Sequence, residues 1–107
     1  MIGLDRIMKI PGVVAVGQFD LEGKIIRKVG HIPDKAREQI AKLNAEQTKS
    51  LIAEAQILGQ LTDLDWTPMV GWMLWGGKYI LLVVHNNCLI IEAKHANLNQ
   101  LMVDLLG

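Results

Sequence analysis

The sequence predicts a domain of the mixed α/β class, in its α+β form, and three observations support this prediction. A β-hairpin is indicated near the N-terminal end, a long helical segment follows it, and a three-stranded antiparallel meander follows the helix. The predicted strands cover residues 13–19, 24–29, 68–75, 79–85 and 88–93. No strand–helix–strand crossover is repeated, so the Rossmann and other doubly wound folds are excluded.

The N-terminal segment predicts a short helix followed by the hairpin. Residues 3–10 place Leu4 and Ile7 on one helical face, and Pro11-Gly12 ends the helix because proline disfavours helical geometry in the residue before it. The two hairpin strands are joined by Asp20-Leu21-Glu22-Gly23. Aspartate is suited to begin a type I turn, and glycine adopts the positive φ that follows it.

A long helix is predicted from Pro33-Asp34 to the neighbourhood of Gly59-Gln60. Proline suits the first helical turn, and Asp34 caps the helix or complements its dipole. Apolar residues recur at three- and four-residue steps, namely Ala36, Ile40, Leu43, Leu51, Ala55 and Leu58. A helix of roughly 25 residues spans about 40 Å, which is long for a small domain.

The C-terminal part predicts the meander and a final helix. Gly76-Gly77 and Asn86-Asn87 separate the last three strands, and both pairs tolerate positive φ. Asn97 is predicted to cap a helix over Leu98–Leu106. Its apolar residues have helical spacing, namely Leu98, Leu101, Met102 and Leu105.

Composition limits the possible functions. The 107 residues, which we interpret as one domain (1–107), carry 11 Lys+Arg and 11 Asp+Glu, so a net-basic nucleic-acid binder and a polybasic membrane binder are not expected. The most apolar stretch, 68–84, contains Gly76-Gly77-Lys78 and is shorter than the ~20 residues of a membrane span. We therefore expect a cytoplasmic protein without membrane insertion. Half of the residues are hydrophobic, and a small domain cannot bury all of them, so the surplus is expected to contact a partner, a ligand or a second copy.

No catalytic or metal site is predicted. A metal site could be imagined from His85, Cys88, Glu92 and His95, but their spacing matches no tetrahedral motif and strand alternation would put them on both faces. The remaining histidine, His31, is remote from them in sequence. Ser50 is the only serine and lies within the predicted long helix, and Cys88 has no basic neighbour in its strand to lower its pKa. No cofactor is expected.

Two further motifs have ordinary explanations. The run from Gly71 to Lys78 resembles a phosphate-binding loop only superficially, because Tyr79 replaces the Ser or Thr of that motif and large side chains fill the loop. The basic residues Lys9, Lys24, Arg27 and Lys28 have no accompanying aromatic ladder. A hairpin turn and a solvated face are the preferred interpretations.

The segment 68–75 is apolar on both of its predicted faces. Val70, Trp72 and Leu74 alternate with a second apolar set, namely Met69, Met73 and Trp75. Such a strand needs cover on both sides, and methionine and aromatic residues are enriched at interface cores. It is either an internal strand of an ordinary core or part of an interface.

The order of these elements resembles the roadblock/dynein light chain superfamily of profilin-like domains, and in particular its small prokaryotic members. The similarity covers nearly the whole chain and is most specific in Ile10-Pro11-Gly12-Val13 and the Asp20–Gly23 turn. It implies a five-stranded antiparallel sheet in the order 2-1-5-4-3, with one long helix and two shorter terminal helices. It also implies a homodimer in which the third strands pair and the long helices pack, and a non-catalytic scaffold or regulator of GTPases, motor chains or other assemblies.

We therefore predict a homodimeric interaction module that scaffolds or regulates a protein partner, such as a small GTPase or a multi-subunit complex. The predicted dimer interface comprises Met69, Val70, Trp72 and Leu74 of the strand and Gln47, Leu51, Ile52 and Ala55 of the long helix. The alternative is a sensor domain that binds a small molecule or cofactor near Trp66, Trp72 and Trp75. An enzyme is not expected.

Overall fold

The computed structural model describes residues 3–30 and 33–106, and its sheet has five antiparallel strands in the order β2-β1-β5-β4-β3. The strands are β1 (Val13–Phe19), β2 (Ile25–Gly30), β3 (Gly71–Trp75), β4 (Tyr79–Val84) and β5 (Asn87–Glu92). The helices are α1 (Leu4–Met8), α2 (Arg37–Thr62) and α3 (Leu98–Leu106). One 3-10 turn, Asp34–Ala36, leads into α2, and another, Ala93–His95, follows β5. The predicted fold class and strand order are confirmed.

The two short helices cover one face of the sheet. Leu4 and Ile7 of α1 and Leu101 and Leu105 of α3 join a buried cluster with side chains of β1, β4 and β5. Asn97 caps α3 as predicted, because its Oδ1 accepts a hydrogen bond from the Gln100 N–H at 3.1 Å. The helical spacing in the sequence therefore identified the buried face of both helices.

Helix α2 covers the opposite face with small side chains. Ala41 and Ala45 pack with Phe19, Val83 and Cys88 in a second buried cluster. Of the apolar positions predicted along this helix, Ala55 is buried and Leu51 half-buried, whereas Leu43 and Leu58 are exposed. The reason is steric: an alanine face lets the helix approach the sheet closely, and the larger residues are left on the flank.

The turns follow local chemistry, with one correction. Asp20 Oδ1 accepts the N–H groups of Glu22 and Lys24, and Gly23 has φ +87°, as predicted for the first hairpin. The turn between β4 and β5 is formed by His85 and Asn86, not by Asn86 and Asn87, and His85 adopts φ +54°. Asn87 instead begins β5, where its buried Oδ1 accepts a hydrogen bond from Gln18 Nε2 on β1.

Three elements are shorter than predicted, and α2 is long relative to the sheet. Helix α1 lies inside the predicted range 3–10, β3 begins at Gly71 instead of Pro68, and β4 ends one residue before the predicted His85. The 26 residues of α2 correspond to about 39 Å, whereas five strands are roughly 19 Å across. Within α2, Ala55 is the one buried side chain after Thr48, so the second half of the helix extends past the sheet.

Candidate functional site

The two edges of the sheet differ in character. Strand β2 presents Arg27 and Lys28, and Lys28 pairs with Asp34, which lowers the pKa of that carboxyl group through a hydrogen bond and charge attraction. Strand β3 has the sequence Gly-Trp-Met-Leu-Trp and no charged residue. Proteins usually protect an exposed edge strand with charges, proline or a bulge, because an unprotected edge pairs with another strand. Strand β3 has none of these features.

Hydrogen bonds at both ends of β3 define which backbone groups it leaves open. The His85 N–H donates to the Val70 carbonyl and the Gly76 N–H donates to the Tyr79 carbonyl, both at 2.8 Å. Residues along an antiparallel pair alternate between bonded and non-bonded positions. The N–H and C=O groups of Gly71, Met73 and Trp75 therefore point away from β4, toward the open edge.

Side chains of β3 alternate between the two layers. Trp72 and Leu74 lie opposite Val83 and Leu81 of β4, on the α2 side. Trp72 is half-buried, and its Nε1–H donates to Thr48 Oγ1 at 2.8 Å. Leu74 is 56% exposed. Trp72 thus connects the sheet to α2, whereas the Leu74 side chain is mainly exposed to solvent.

The other side of β3 borders an apolar groove. We call it the α3–β3 groove, a cavity of about 290 Å³ between this strand and α3. Its lining includes Val70, Met73, Val84, Leu98, Met102 and Leu106. Trp75, 65% exposed, lies on the same side of the sheet next to the groove. In the sequence, Leu98 and Met102 are recognised only by their helical spacing, and Met73 and Trp75 are not among the predicted interface residues.

The predicted interface residues of α2 occupy different environments. Ala55 is buried, Leu51 is half-buried, and Gln47 and Ile52 are exposed. Ile52 and Met69 line a second cavity of about 330 Å³ together with Thr48. Val70 lines the α3–β3 groove, whereas the Trp72 indole lies on the α2 side, where it is bound to Thr48. The predicted residues therefore lie in different surroundings and do not form one continuous patch in a single copy.

The three tryptophans do not share one set of contacts. Trp66 donates its Nε1–H to Thr62 Oγ1 at 3.0 Å, at the end of α2. Trp72 is bound to Thr48 in the middle of α2, and Trp75 is at the far end of β3. A ligand site formed jointly by these side chains, as considered for a sensor, is not evident from their contacts.

The candidate reactive side chains are separated by the fold. Cys88 is buried beneath α2, and burial raises the pKa of its thiol to about 11, an effect that the neighbouring Asn44 amide partly opposes. His85 is exposed in the turn, and His31 lies outside the described residues. Within 3–30 and 33–106, no three His, Cys, Asp or Glu side chains are grouped as metal ligands. In the same ranges, no helix has both the length and the apolar character required to cross a membrane.

Comparisons with known proteins agree with this fold. A family model described as "Uncharacterized conserved protein (DUF2173)" matches residues 3–106. MglB of Myxococcus xanthus is similar with 20% identity and a TM-score of 0.70, over 94% of this chain and 82% of that chain. A Roadblock/LC7 domain from Streptomyces avermitilis is similar with 14% identity and a TM-score of 0.73, over 92% of this chain and 81% of that chain. No curated protein matches the sequence. The resemblance to roadblock proteins is thus confirmed for the fold.

Proposed function

This chain belongs to the DUF2173 family, and from its roadblock fold we propose that it is a homodimeric interaction module without catalytic activity of its own. In this proposal the single domain 1–107 acts in the cytoplasm and binds another protein. A small GTPase or a subunit of a larger complex is the partner class that the roadblock resemblance suggests.

The observation that supports the dimer is the unprotected edge of β3. Its outward N–H and C=O groups need partners, and the exposed Leu74 and Trp75 side chains need cover. A second β3 strand, related by a two-fold axis, supplies both through one self-complementary contact. The opposite edge, β2, carries Arg27 and Lys28 and is not suited to pair with another strand. We therefore propose that assembly stops at two copies.

Helix α2 supplies a second layer to the proposed dimer. Its second half extends past the sheet on the side where Thr48 contacts β3, and it carries apolar side chains that are exposed in one copy. These are Ile52, Ile57, Leu58 and Leu61. Pairing of two β3 strands would bring two such helices alongside each other, so the same axis covers both surfaces.

The test is the mass of the protein in solution. We expect light scattering at low micromolar concentration to give twice the chain mass of 11.9 kDa. Leu74→Asp should give a folded monomer. In the dimer, the new carboxylate would be buried against the partner strand, which is unfavourable, whereas in a single copy it stays in contact with water. Trp72→Asp is less informative, since the Trp72 indole also binds Thr48 within the copy.

Val103→Asp is the matched control for this experiment. Val103 is an exposed apolar residue of α3 that does not line the α3–β3 groove, so the variant should remain dimeric. A monodisperse wild-type monomer, or an intact Leu74→Asp dimer, would contradict the proposed assembly. Affinity capture with the wild type and with Leu74→Asp then tests whether binding of a specific partner protein requires the dimer.

A small-molecule sensor is the second candidate function. The observation that favours it is the apolar α3–β3 groove, although neither Trp66 nor Trp75 of the same copy lines it. An environment-sensitive apolar dye such as 1-anilinonaphthalene-8-sulfonate distinguishes the two functions. Strong binding of the dye to the wild-type dimer would favour the sensor, and weak binding would favour a groove that is already covered.

A further inference from the structure

We propose that the α3–β3 groove of each copy is filled by Trp75 of the other copy, with Met73 lying on the two-fold axis. This inference rests on the proposed dimer and specifies its register. It also identifies Trp75 as the side chain that anchors the interface, a role that the sequence pattern does not indicate.

The register follows from the open backbone groups of β3. Gly71, Met73 and Trp75 are the residues whose N–H and C=O groups point away from β4. Centring the pair on Met73 places Met73 opposite its own copy and Gly71 opposite Trp75, so each outward group gains a partner. A slip by two residues in either direction leaves Gly71 or Trp75 unpaired, and a slip by one residue matches outward groups with inward ones.

This register places Trp75 of one copy beside the groove of the other. Directly opposite residues of an antiparallel pair project from the same face of the sheet. Gly71 lies opposite Val84 on the α3 side, and both residues line the groove. Because Gly71 has no side chain, the indole of the opposing Trp75 can lie across it and reach Val84 and Met102. Aromatic cover of an edge glycine is a known stabilising arrangement.

The glycine is required on this strand for a separate reason. A Cβ atom at position 71 would lie 2.4 Å from the Val83 carbonyl oxygen of the neighbouring strand. Only glycine fits this close approach, so the surface beside the groove is left bare by the internal packing of the sheet. Trp75, 65% exposed in one copy, has the size to cover it.

The chemistry of the groove favours a side chain over a metabolite. Small-molecule sites usually enclose about 300–1,000 Å³ and place a few polar groups to orient the ligand. The volume of this groove, about 290 Å³, is close to the lower end of that range. Its distinguishing feature is the lining, which consists of glycine, valine, leucine, methionine and Trp72. The one side-chain N–H among them, Trp72 Nε1, is already bound to Thr48. An aromatic side chain satisfies these requirements.

The first experiment measures the dimer dissociation constant by sedimentation of the full chain. Trp75→Ala should raise it at least roughly tenfold, as for a buried aromatic anchor. Trp75→Phe should restore part of the loss, and Val103→Ala, which removes an exposed apolar side chain from the outer side of α3, should change nothing. An unchanged dissociation constant for Trp75→Ala, with a dimeric wild type, would overturn the Trp75 assignment and leave the proposed dimer intact.

The second experiment tests the register by disulfide formation in a Cys88→Ala background. Met73→Cys places two thiols at the axis, within the Cα separation of about 4.4–6.8 Å that a disulfide requires, so it should form a covalent dimer on mild oxidation. Leu74→Cys should not, because position 74 lies opposite position 72. Crosslinking of Leu74→Cys in preference to Met73→Cys would overturn the register. A wild type that sediments as a monomer would instead contradict the proposed function itself.

Dye binding tests the alternative that the α3–β3 groove is occupied by an apolar small molecule. Trp75→Ala should bind 1-anilinonaphthalene-8-sulfonate more strongly than the wild type, because the groove loses its cover. Equal and strong binding by the two proteins would show an open groove available to apolar ligands and would overturn the proposal.

Discussion

Two buried polar side chains of α2 face the sheet, and only one of them is hydrogen-bonded. Thr48 Oγ1 accepts a hydrogen bond from Trp72, so its burial is compensated. Asn44 is fully buried, and its Nδ2 and Oδ1 make no hydrogen bond with normal geometry, although the amide lies beside the Cys88 thiol. An unpaired buried amide costs about 1–3 kcal/mol. Helix α2 is therefore attached to the sheet through small residues and one destabilising polar contact.

Cys88 makes the stability of the protein depend on pH in the alkaline range. Burial raises the pKa of its thiol from 9.0 to about 11, so the folded protein retains a proton that the unfolded chain loses. The contribution of the protonated Cys88 thiol to the free energy of unfolding is complete below pH 9 and is lost as the pH rises toward 11. We expect the free energy of unfolding to fall over this window by up to about 2–3 kcal/mol.

Denaturant titrations of the wild type and Cys88→Ala measure this effect. All other ionisable groups are common to the two proteins, so the difference between the two curves isolates the thiol. That difference should be constant below pH 9 and should narrow above it. Parallel curves up to pH 11 would show that Cys88 does not carry the dependence.

Strand β3 depends on one glycine for its pairing with β4. A methyl group at Gly71 would meet the backbone oxygen of Val83 at 2.4 Å, and backbone cannot move aside as a flexible side chain would. We expect Gly71→Ala to lower the free energy of unfolding by at least about 2 kcal/mol, in the range of overpacking substitutions. Thermal unfolding followed by circular dichroism measures the change.

Gly59→Ala provides the comparison of opposite sign. Gly59 lies within α2, and a methyl group added there would have the Leu64 carbonyl oxygen as its nearest neighbour, 3.4 Å away. Alanine is favoured over glycine inside a helix by roughly 0.5–1 kcal/mol. This variant should be as stable as the wild type or more stable. A Gly71→Ala variant as stable as Gly59→Ala would mean that the steric conflict at Gly71 is relieved by movement of the sheet backbone.

The elements show what the sequence could and could not predict. Strand β1, helix α3 and the Asp20–Gly23 turn depend on local patterns and were predicted with their observed bounds or chemistry. The buried face of α2 was not, because Ala41 and Ala45 give a weak apolar signal and Leu43 gives a strong one. Which of two apolar stripes meets the sheet depends on how closely helix and sheet approach each other. That distance is a tertiary property.

The candidate site shows the same division between local and tertiary information. Strand alternation indicated that β3 is apolar on both faces, which depends on its sequence alone. The α3–β3 groove depends on Leu98 and Met102 lying beside Met73, residues far apart in the chain. The open position of Trp75 depends on β3 being at the edge of the sheet. Neither relation could be obtained before the strand order and the position of α3 were known.

In one copy of the molecule, many large apolar side chains remain exposed to solvent. Exposed aromatic and aliphatic side chains lie on both flanks of β3, on the second half of α2 and in the segment that follows it, including Leu61, Leu64, Leu74 and Trp75. Contiguous apolar patches on a monomer usually mark an interaction surface. Folding and assembly are thus expected to be coupled, since the dimer covers surface that one copy cannot.

This coupling predicts a melting temperature that depends on protein concentration. When unfolding also separates two copies, mass action stabilises the folded dimer as the concentration rises. A tenfold increase should raise the melting temperature of the wild type by about 3–5 °C, the shift expected for unfolding of a dimer of this size. Leu74→Asp should show a melting temperature independent of concentration, because its folded state is one copy. Scanning calorimetry over a hundredfold concentration range makes the measurement, and Val103→Asp should follow the wild type. A flat response in the wild type would mean that each copy is stable by itself and that the exposed flanks of β3 contribute nothing to folding.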